Sequence, residues 1–269
     1  MQQVKVRAEW IDACEFHDLT ENQVLREVSE RVSKLKSSGR ISEHPLVLLD
    51  LDSTLYEVQP RTIQILKEWL ATPESHSFDQ ARRAIESLKE THSGYTLEDL
   101  FINLGLSPKD EVIARALKSA TSFWFKRFFT SDYLKYDVAY PGAAEFSREL
   151  YALGADLIYL TGRDEPNMGD GTRANLVRDG FPWDTPRTHL LLKAAFEMSD
   201  LEHKTDAAVY IREKGKLVAS FENEPPNLIA LYELFPDAMH VFVDTVCSDR
   251  PALPRSGLYR IKGFSRDLS

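Results

Sequence analysis

The sequence has only two cysteines in 269 residues, Cys14 and Cys247, and they form no CxxC pair. Two distant thiols supply neither a disulfide framework nor a thiolate metal site, and they suit a reducing compartment with both thiols free. Long apolar runs are missing as well. Runs such as Leu46 to Leu49 fall far short of the roughly 18 residues that a membrane-spanning helix needs. The opening Met1-Gln2-Gln3-Val4-Lys5 soon meets Glu9, Asp12 and Glu15, where a secretory signal would place an apolar stretch. A cytoplasmic location is therefore expected. Nor is there a surplus of positive charge: the formal net charge is −9, which argues against nonspecific binding to nucleic acid or to an anionic membrane. It leaves room for a small phosphorylated molecule held by a local site. There is no internal repeat and no low-complexity segment. A hydrophobic fraction of 43% beside 28% charged residues fits a soluble globular protein and excludes disordered, collagen-like and coiled-coil chains.

What is present is an alternation of short apolar runs and helical patterns. Leu46-Val47-Leu48-Leu49-Asp50 is apolar on both faces and ends in an acid, as a central parallel strand covered by helices should. Similar runs occur at 156–160, 188–192, 217–221 and 240–244, with helical periodicity at 142–153, 171–179, 205–214 and 225–234 between them. This order predicts an α/β fold, a doubly wound (Rossmann-like) parallel sheet. Between Val58 and Tyr140 the strand signal vanishes. Ile63, Leu66 and Leu70 repeat helically, as do Ala81, Ala84, Ile85 and Leu88, and a longer pattern runs from Asp110 to Phe129. The chain is thus expected to hold an N-terminal helical extension over 1–44, a core over 45–57 and 140–269, and an all-helical insertion over 58–139. Thr20 with Gln23 marks a capping box for a first helix that Ser37-Ser38-Gly39-Arg40 ends. Pro141-Gly142 closes the insertion as part of a hinge.

In doubly wound sheets ligands bind beyond the carboxyl ends of the strands, so the polar residues there carry the functional signal. Asp50-Leu51-Asp52-Ser53-Thr54 follows the first strand. One carboxylate of such a pair can attack phosphorus while the other handles the leaving-group proton, and Mg²⁺ suits the task of holding a phosphate dianion beside acids. Thr161-Gly162 ends the second run and offers a hydroxyl and a glycine amide for a phosphate cradle. Lys204 heads the stretch Thr205 to Lys214, where a lysine can pair with phosphate alongside the helix dipole; Lys193 competes for that role. Phe221-Glu222-Asn223-Glu224 ends another run with acids and an amide oxygen for a metal shell. Each of these has an ordinary reading as a cap, a turn or a solvated surface residue. Their joint order at four strand ends is much harder to obtain by chance.

That order resembles the haloacid dehalogenase-like (HAD) phosphohydrolase superfamily, from about Leu46 to Thr245, with the helical insertion where a cap domain belongs. The resemblance implies that Asp50 is a nucleophile forming an aspartyl-phosphate. It implies that Asp52 is the general acid and base and lends its backbone carbonyl to Mg²⁺. Thr161, Gly162 and Lys204 are then phosphate ligands, and Asp50, Asp52, Glu222 and Asn223 form the metal set. The departure is Glu222-Asn223-Glu224, where the family usually carries an Asp pair or Gly-Asp. Up to four carboxylates, Asp50, Asp52, Glu222 and Glu224, are expected at or near one metal. Dehalogenase members lack the second aspartate, so Asp52 favours phosphoryl transfer to water. A phosphotransferase or phosphomutase on the same scaffold and a noncatalytic binding module remain as alternatives. Caps in this family gate water and select substrates. The aromatics Phe123, Trp124, Phe125, Phe128 and Phe129 are expected to pack inward in a helical bundle rather than form a lid. Arg163 and Asp164 either line the pocket or face solvent. Arg250, Arg255, Arg260, Lys262 and Arg266 are expected to form a solvated basic surface. Neither oligomeric state nor substrate is legible.

Overall fold

The computed structural model describes residues 6–38, 44–89, 92 and 94–265. Residues 1–5, the Gly39-Arg40 pair expected to end a helix, and Arg266 lie outside the described residues. The chain begins with α1 (Arg7–Ala13), β1 (Glu15–Phe16) and α2 (Glu21–Ser37). The capping box forms: the Thr20 hydroxyl accepts the Gln23 N–H at 3.3 Å, and the Gln23 side chain accepts the Thr20 N–H at 2.8 Å. Two otherwise unsatisfied donors are thereby paired at the helix start. β2 (Pro45–Leu49) follows and is buried at every residue.

The chain then passes through β3 (Tyr56–Glu57), α3 (Gln59–Leu70), α4 (Asp79–Glu86), α5 (Leu97–Asn103), α6 (Glu111–Phe128), α7 (Ser131–Leu134) and β4 (Val138–Ala139). It continues as α8 (Ala143–Ala152), β5 (Asp156–Asp164), α9 (Glu165–Arg178), β6 (Thr188–Lys193), α10 (Asp200–Lys214), β7 (Lys216–Glu222), α11 (Pro225–Leu234), β8 (Met239–Val243) and β9 (Ser256–Ile261). One seven-stranded parallel sheet runs in the order β1-β9-β8-β7-β2-β5-β6. The fold is the expected α/β doubly wound sheet. β2 lies at its centre between β5 and β7, where the strand order reverses, so the crevice beyond the end of β2 is the natural ligand site.

Alternation along the strands builds the layers. Val47 and Leu49 join one core with Val24, Leu25, Val28 and Val32 of α2 and Phe146 of α8. Leu46 and Leu48 face the other way, into a core with Ala207 and Ile211 of α10 and Leu231 of α11. Successive residues of a strand point to opposite faces, so a strand covered on both sides must be apolar throughout.

The structure draws the unit boundaries differently from the sequence pattern. The first compact unit comprises Met1–Tyr56, Ala139–Pro166 and Leu176–Ser269, and the second comprises Glu57–Val138 and Asn167–Asn175. The N-terminal segment is therefore no appendage: β1 pairs with β9, and α2 supplies four fully buried residues to the main core. The middle of α9 belongs to the helical unit, where Asn175 donates to the Leu134 carbonyl at 2.8 Å. An unbroken helix gives no periodicity signal for such a crossing. Within the helical unit, Leu66, Trp69, Phe101, Ile113 and Ala116 form the core, and Arg61 pairs with Asp137 with both side chains fully buried. Phe123 and Trp124 pack against this core, as expected, with Trp124 stacked on Phe128 at 4.3 Å, whereas Phe125 is half exposed.

Gly142 has φ +82, and a Cβ there would lie 2.3 Å from the Phe264 carbonyl oxygen, so only glycine fits this close approach. The C-terminal basic residues correct another expectation. Arg250 pairs with Glu224, Arg255 with Glu233 and Arg260 with Asp244, so these three are neutralised by acids and form no open basic surface. Both cysteines are free. Among the described residues no helix is long and apolar enough to cross a membrane.

Because α2 is core, Leu25→Ala is expected to cost about 2–5 kcal/mol, read as a lowered urea midpoint with unchanged slope. An unchanged midpoint would mean that the helix is dispensable.

Candidate active site

Asp50 follows the central strand and is anchored by its own N–H, which donates to the Phe221 carbonyl of neighbouring β7 at 3.1 Å. A tight turn comes next. The N–H groups of Thr54, Leu55 and Tyr56 all converge on the Leu51 carbonyl, and Ser53 donates back to Tyr56 at 2.7 Å. Ser53 takes φ +59, a left-handed conformation that a non-glycine residue adopts only when its surroundings demand it. Leu51 is fully buried beneath this turn, and Thr245 clamps it from outside through a hydroxyl bond to the Ser53 carbonyl.

The centre of the site is Lys204. Its ammonium lies 2.7 Å from Asp50 Oδ1 and also donates to Glu222 Oε2, and all three side chains are buried. Lys204 sits in the second turn of α10, not at its start, because Ser199 caps the helix five residues earlier. The expected alliance with a helix dipole is thus replaced by two direct charge partners. Lys193 is elsewhere: it bonds Asp200 at 3.2 Å and the Phe196 carbonyl at 3.3 Å.

Burial pushes the Asp50 carboxyl up, against the pull of Lys204. Burial and then the Asp50 charge push Glu222 up to about 8. Burial alone would lower the lysine, but the Asp50 and Glu222 charges outweigh it and raise its pKa. Two buried carboxylates thus share one buried ammonium, with Glu222 pushed towards its protonated form.

Asp52 stands apart from this triad. Its carboxylate is a third exposed and accepts from Arg163, with Nε at 3.0 Å and a second bond from the terminal nitrogen. Arg163 was expected either to line the pocket or to face solvent; instead it is buried. It reaches Asp52 because β5 is irregular there. Leu160 pairs with Leu191 and Asp164 with Lys193, so four steps on β5 face two on β6. This bulge displaces Thr161, Gly162 and Arg163 from regular pairing. The Thr161 hydroxyl accepts the Arg163 N–H at 3.3 Å. Gly162 packs so tightly that a Cβ would lie 2.6 Å from Asp200 Oδ1.

The residues after β7 separate in direction. Glu222 uses its second oxygen to accept the Glu224 N–H at 3.0 Å. Asn223 donates to the Val246 carbonyl at 2.7 Å, which turns its Oδ1 to the Thr54 hydroxyl at 3.2 Å. Glu224 leaves the site and accepts from the Ser248 N–H at 2.9 Å and from Arg250. The expected gathering of four carboxylates does not occur. Among the described residues no three His, Cys, Asp or Glu side chains are grouped to hold a metal. The donors that do face the Asp50 turn are hard oxygens. Their chemistry fits Mg²⁺, with Asn223 rather than the fully engaged Glu222 as the donor from this strand.

No family model matches the chain, and no curated protein matches it. Solved structures do. A Clostridium difficile protein with a provisional phosphatase label is 15% identical with a TM-score of 0.50, over 76% of this chain and 86% of that one. The class C acid phosphatase of Bacillus anthracis with tungstate bound is 17% identical with a TM-score of 0.43, over 76% of this chain. This chain spans 61% of that phosphatase's length. A haloacid dehalogenase-like hydrolase from Bacteroides fragilis, also provisionally assigned, is 16% identical with a TM-score of 0.44, over 80% of this chain and 96% of that one.

Removing the central cation is the sharpest test of the electrostatics. Lys204→Met is expected to cost about 3–5 kcal/mol in denaturant unfolding, since it strands two buried carboxylates. Adding Glu222→Gln should recover part of that loss; additive losses would show that the two residues do not interact.

Proposed function

We propose that this chain, which has the haloacid dehalogenase-like fold, is a phosphohydrolase acting through Asp50 on a small phosphorylated substrate. The observation that carries the reading is the pairing of buried Asp50 with Lys204 and Glu222 at the end of the central strand, with the more exposed Asp52 two residues on. A nucleophilic carboxylate must be ionised, and the Lys204 ammonium favours that form against the burial that opposes it.

The steps use this chain's own groups. An Asp50 carboxylate oxygen forms a bond to phosphorus. The bond from phosphorus to the leaving oxygen breaks, its electron pair stays on that oxygen, and protonated Asp52 supplies the proton. In the second step Asp52, now ionised, takes a proton from water as the water oxygen bonds phosphorus. The Asp50–phosphate bond breaks, and its electron pair returns to the Asp50 carboxylate. Lys204 offsets charge throughout, and the Thr161 hydroxyl and Gly162 amide, in the irregular part of β5, donate to the phosphoryl oxygens. Such charge stabilisation is most of what phosphoryl transfer requires. Mg²⁺, held by Asp50, the Asp52 backbone carbonyl and Asn223, would supply Lewis-acid charge neutralisation.

Asp50→Asn is expected to lower kcat for phosphate release from p-nitrophenyl phosphate by more than about 1,000-fold while leaving the unfolding midpoint near that of the wild type. Retained Mg²⁺-dependent release would contradict the assignment of the nucleophile.

A further inference from the structure

Arg163 is a fully buried charged side chain at this site that the proposed steps leave without a task. Its guanidinium has no exposed surface, yet the Asp52 carboxylate it holds is 35% exposed. The helical unit contains an instructive contrast. Arg61 and Asp137 also pair through two nitrogens, at 2.7 and 2.6 Å, but both side chains are 0% exposed. That pair is buried at both ends and, through further bonds to the Phe128 carbonyl and from Asn175, ties elements together. The Arg163 pair has one closed end and one open end, which suits a device that aims a carboxyl group outward.

The surroundings of Arg163 fix it in turn. The Thr161 hydroxyl accepts its backbone N–H, and the guanidinium lies 5.6 Å from the centre of the fully buried Tyr56 ring. Tyr56 closes the same turn that carries Asp52, through its hydrogen bonds to Leu51 and Ser53. The backbone of the turn therefore places the Asp52 Cα, and Arg163 sets the direction of its side chain. An arginine keeps its proton at any working pH, so it can hold Asp52 without entering the proton transfer. Two of its nitrogens converge on one oxygen, Asp52 Oδ1, and hold that oxygen from two directions, as a lysine point charge does not.

We infer that Arg163 is a positioning residue that orients Asp52 towards the leaving-group oxygen, an inference that rests on the proposed phosphohydrolase chemistry. A group that protonates the leaving oxygen matters more as that oxygen becomes a poorer leaving group. An aryl ester with a stable phenolate needs little help, whereas phenyl phosphate needs it in full. Loss of Arg163 must then be felt unequally by the two esters, while a purely structural role would slow both alike.

The experiment compares kcat and KM for p-nitrophenyl phosphate and phenyl phosphate in the wild type, Arg163→Gln and Arg163→Lys. The ratio of the two kcat values is expected to rise about tenfold or more in Arg163→Gln, with KM little changed, and to rise by less in Arg163→Lys. In an Asp52→Asn background, Arg163→Gln should not raise the ratio further. If Arg163→Gln fails to fold, the lysine variant decides, and a wild-type ratio there overturns the inference. Equal losses on both esters also overturn it. A wild type inert towards both esters overturns this inference and the phosphohydrolase reading together, whereas an active wild type with an unmoved ratio in the variants overturns the role of Arg163 alone.

Discussion

The contact between the Lys204 ammonium and the Asp50 and Glu222 carboxylates is the constraint on which the rest of the site depends. Each partner comes from a different element: the loop after β2, the interior of α10 and the end of β7. Desolvating three charges is expensive, and such clusters contribute little to stability unless every charge finds a partner. The sheet order meets that demand by making β2 and β7 neighbours, so that Asp50 and Glu222 emerge side by side. α10 must then seat with its Lys204 face inward, which Ala207 and Ile211 secure one and two turns later by packing on Leu46 and Leu48. Core packing and site charge are therefore enforced by the same helix.

Asp50 and Asp52 experience different surroundings although only one residue separates them. Asp50 is buried against an ammonium, while Asp52 is partly open and held by a guanidinium. Separating a pair of like groups by environment is how one protein obtains a nucleophile and a proton carrier from the same residue type. The tight turn at Leu51 to Tyr56 makes the separation, since its converging hydrogen bonds direct neighbouring residues to different partners.

Much of this was legible in the sequence, for identifiable reasons. Runs apolar on both faces marked β2, β5, β7 and β8 because a strand covered on both sides leaves no polar position. Asp50 and Glu222 were legible as polar residues closing or following such runs, and Lys204 as a lysine at the head of a helical stretch; the structure brings these three together. The edge strand β1 has two residues and carries no periodicity, and β9 includes Gly257 and Arg260, so neither stood out. The pairing of Arg163 with Asp52 could not be read, because the bulge that turns Arg163 inward is a property of how β5 and β6 register. Glu224 looked like a metal ligand beside Glu222 and Asn223, but Ser248 and Arg250, more than twenty residues later, draw it away. Long-range partners of that kind leave no local pattern.

The most direct measurement is an acid quench of the protein during turnover of a ³²P-labelled phosphomonoester, followed by peptide mapping. Label on the peptide that contains Asp50, absent from Asp50→Asn and discharged on a chase with unlabelled substrate, is the expected result. Steady release of labelled phosphate with no label on the protein at any time, or label on a peptide without Asp50, would contradict a covalent route through this residue.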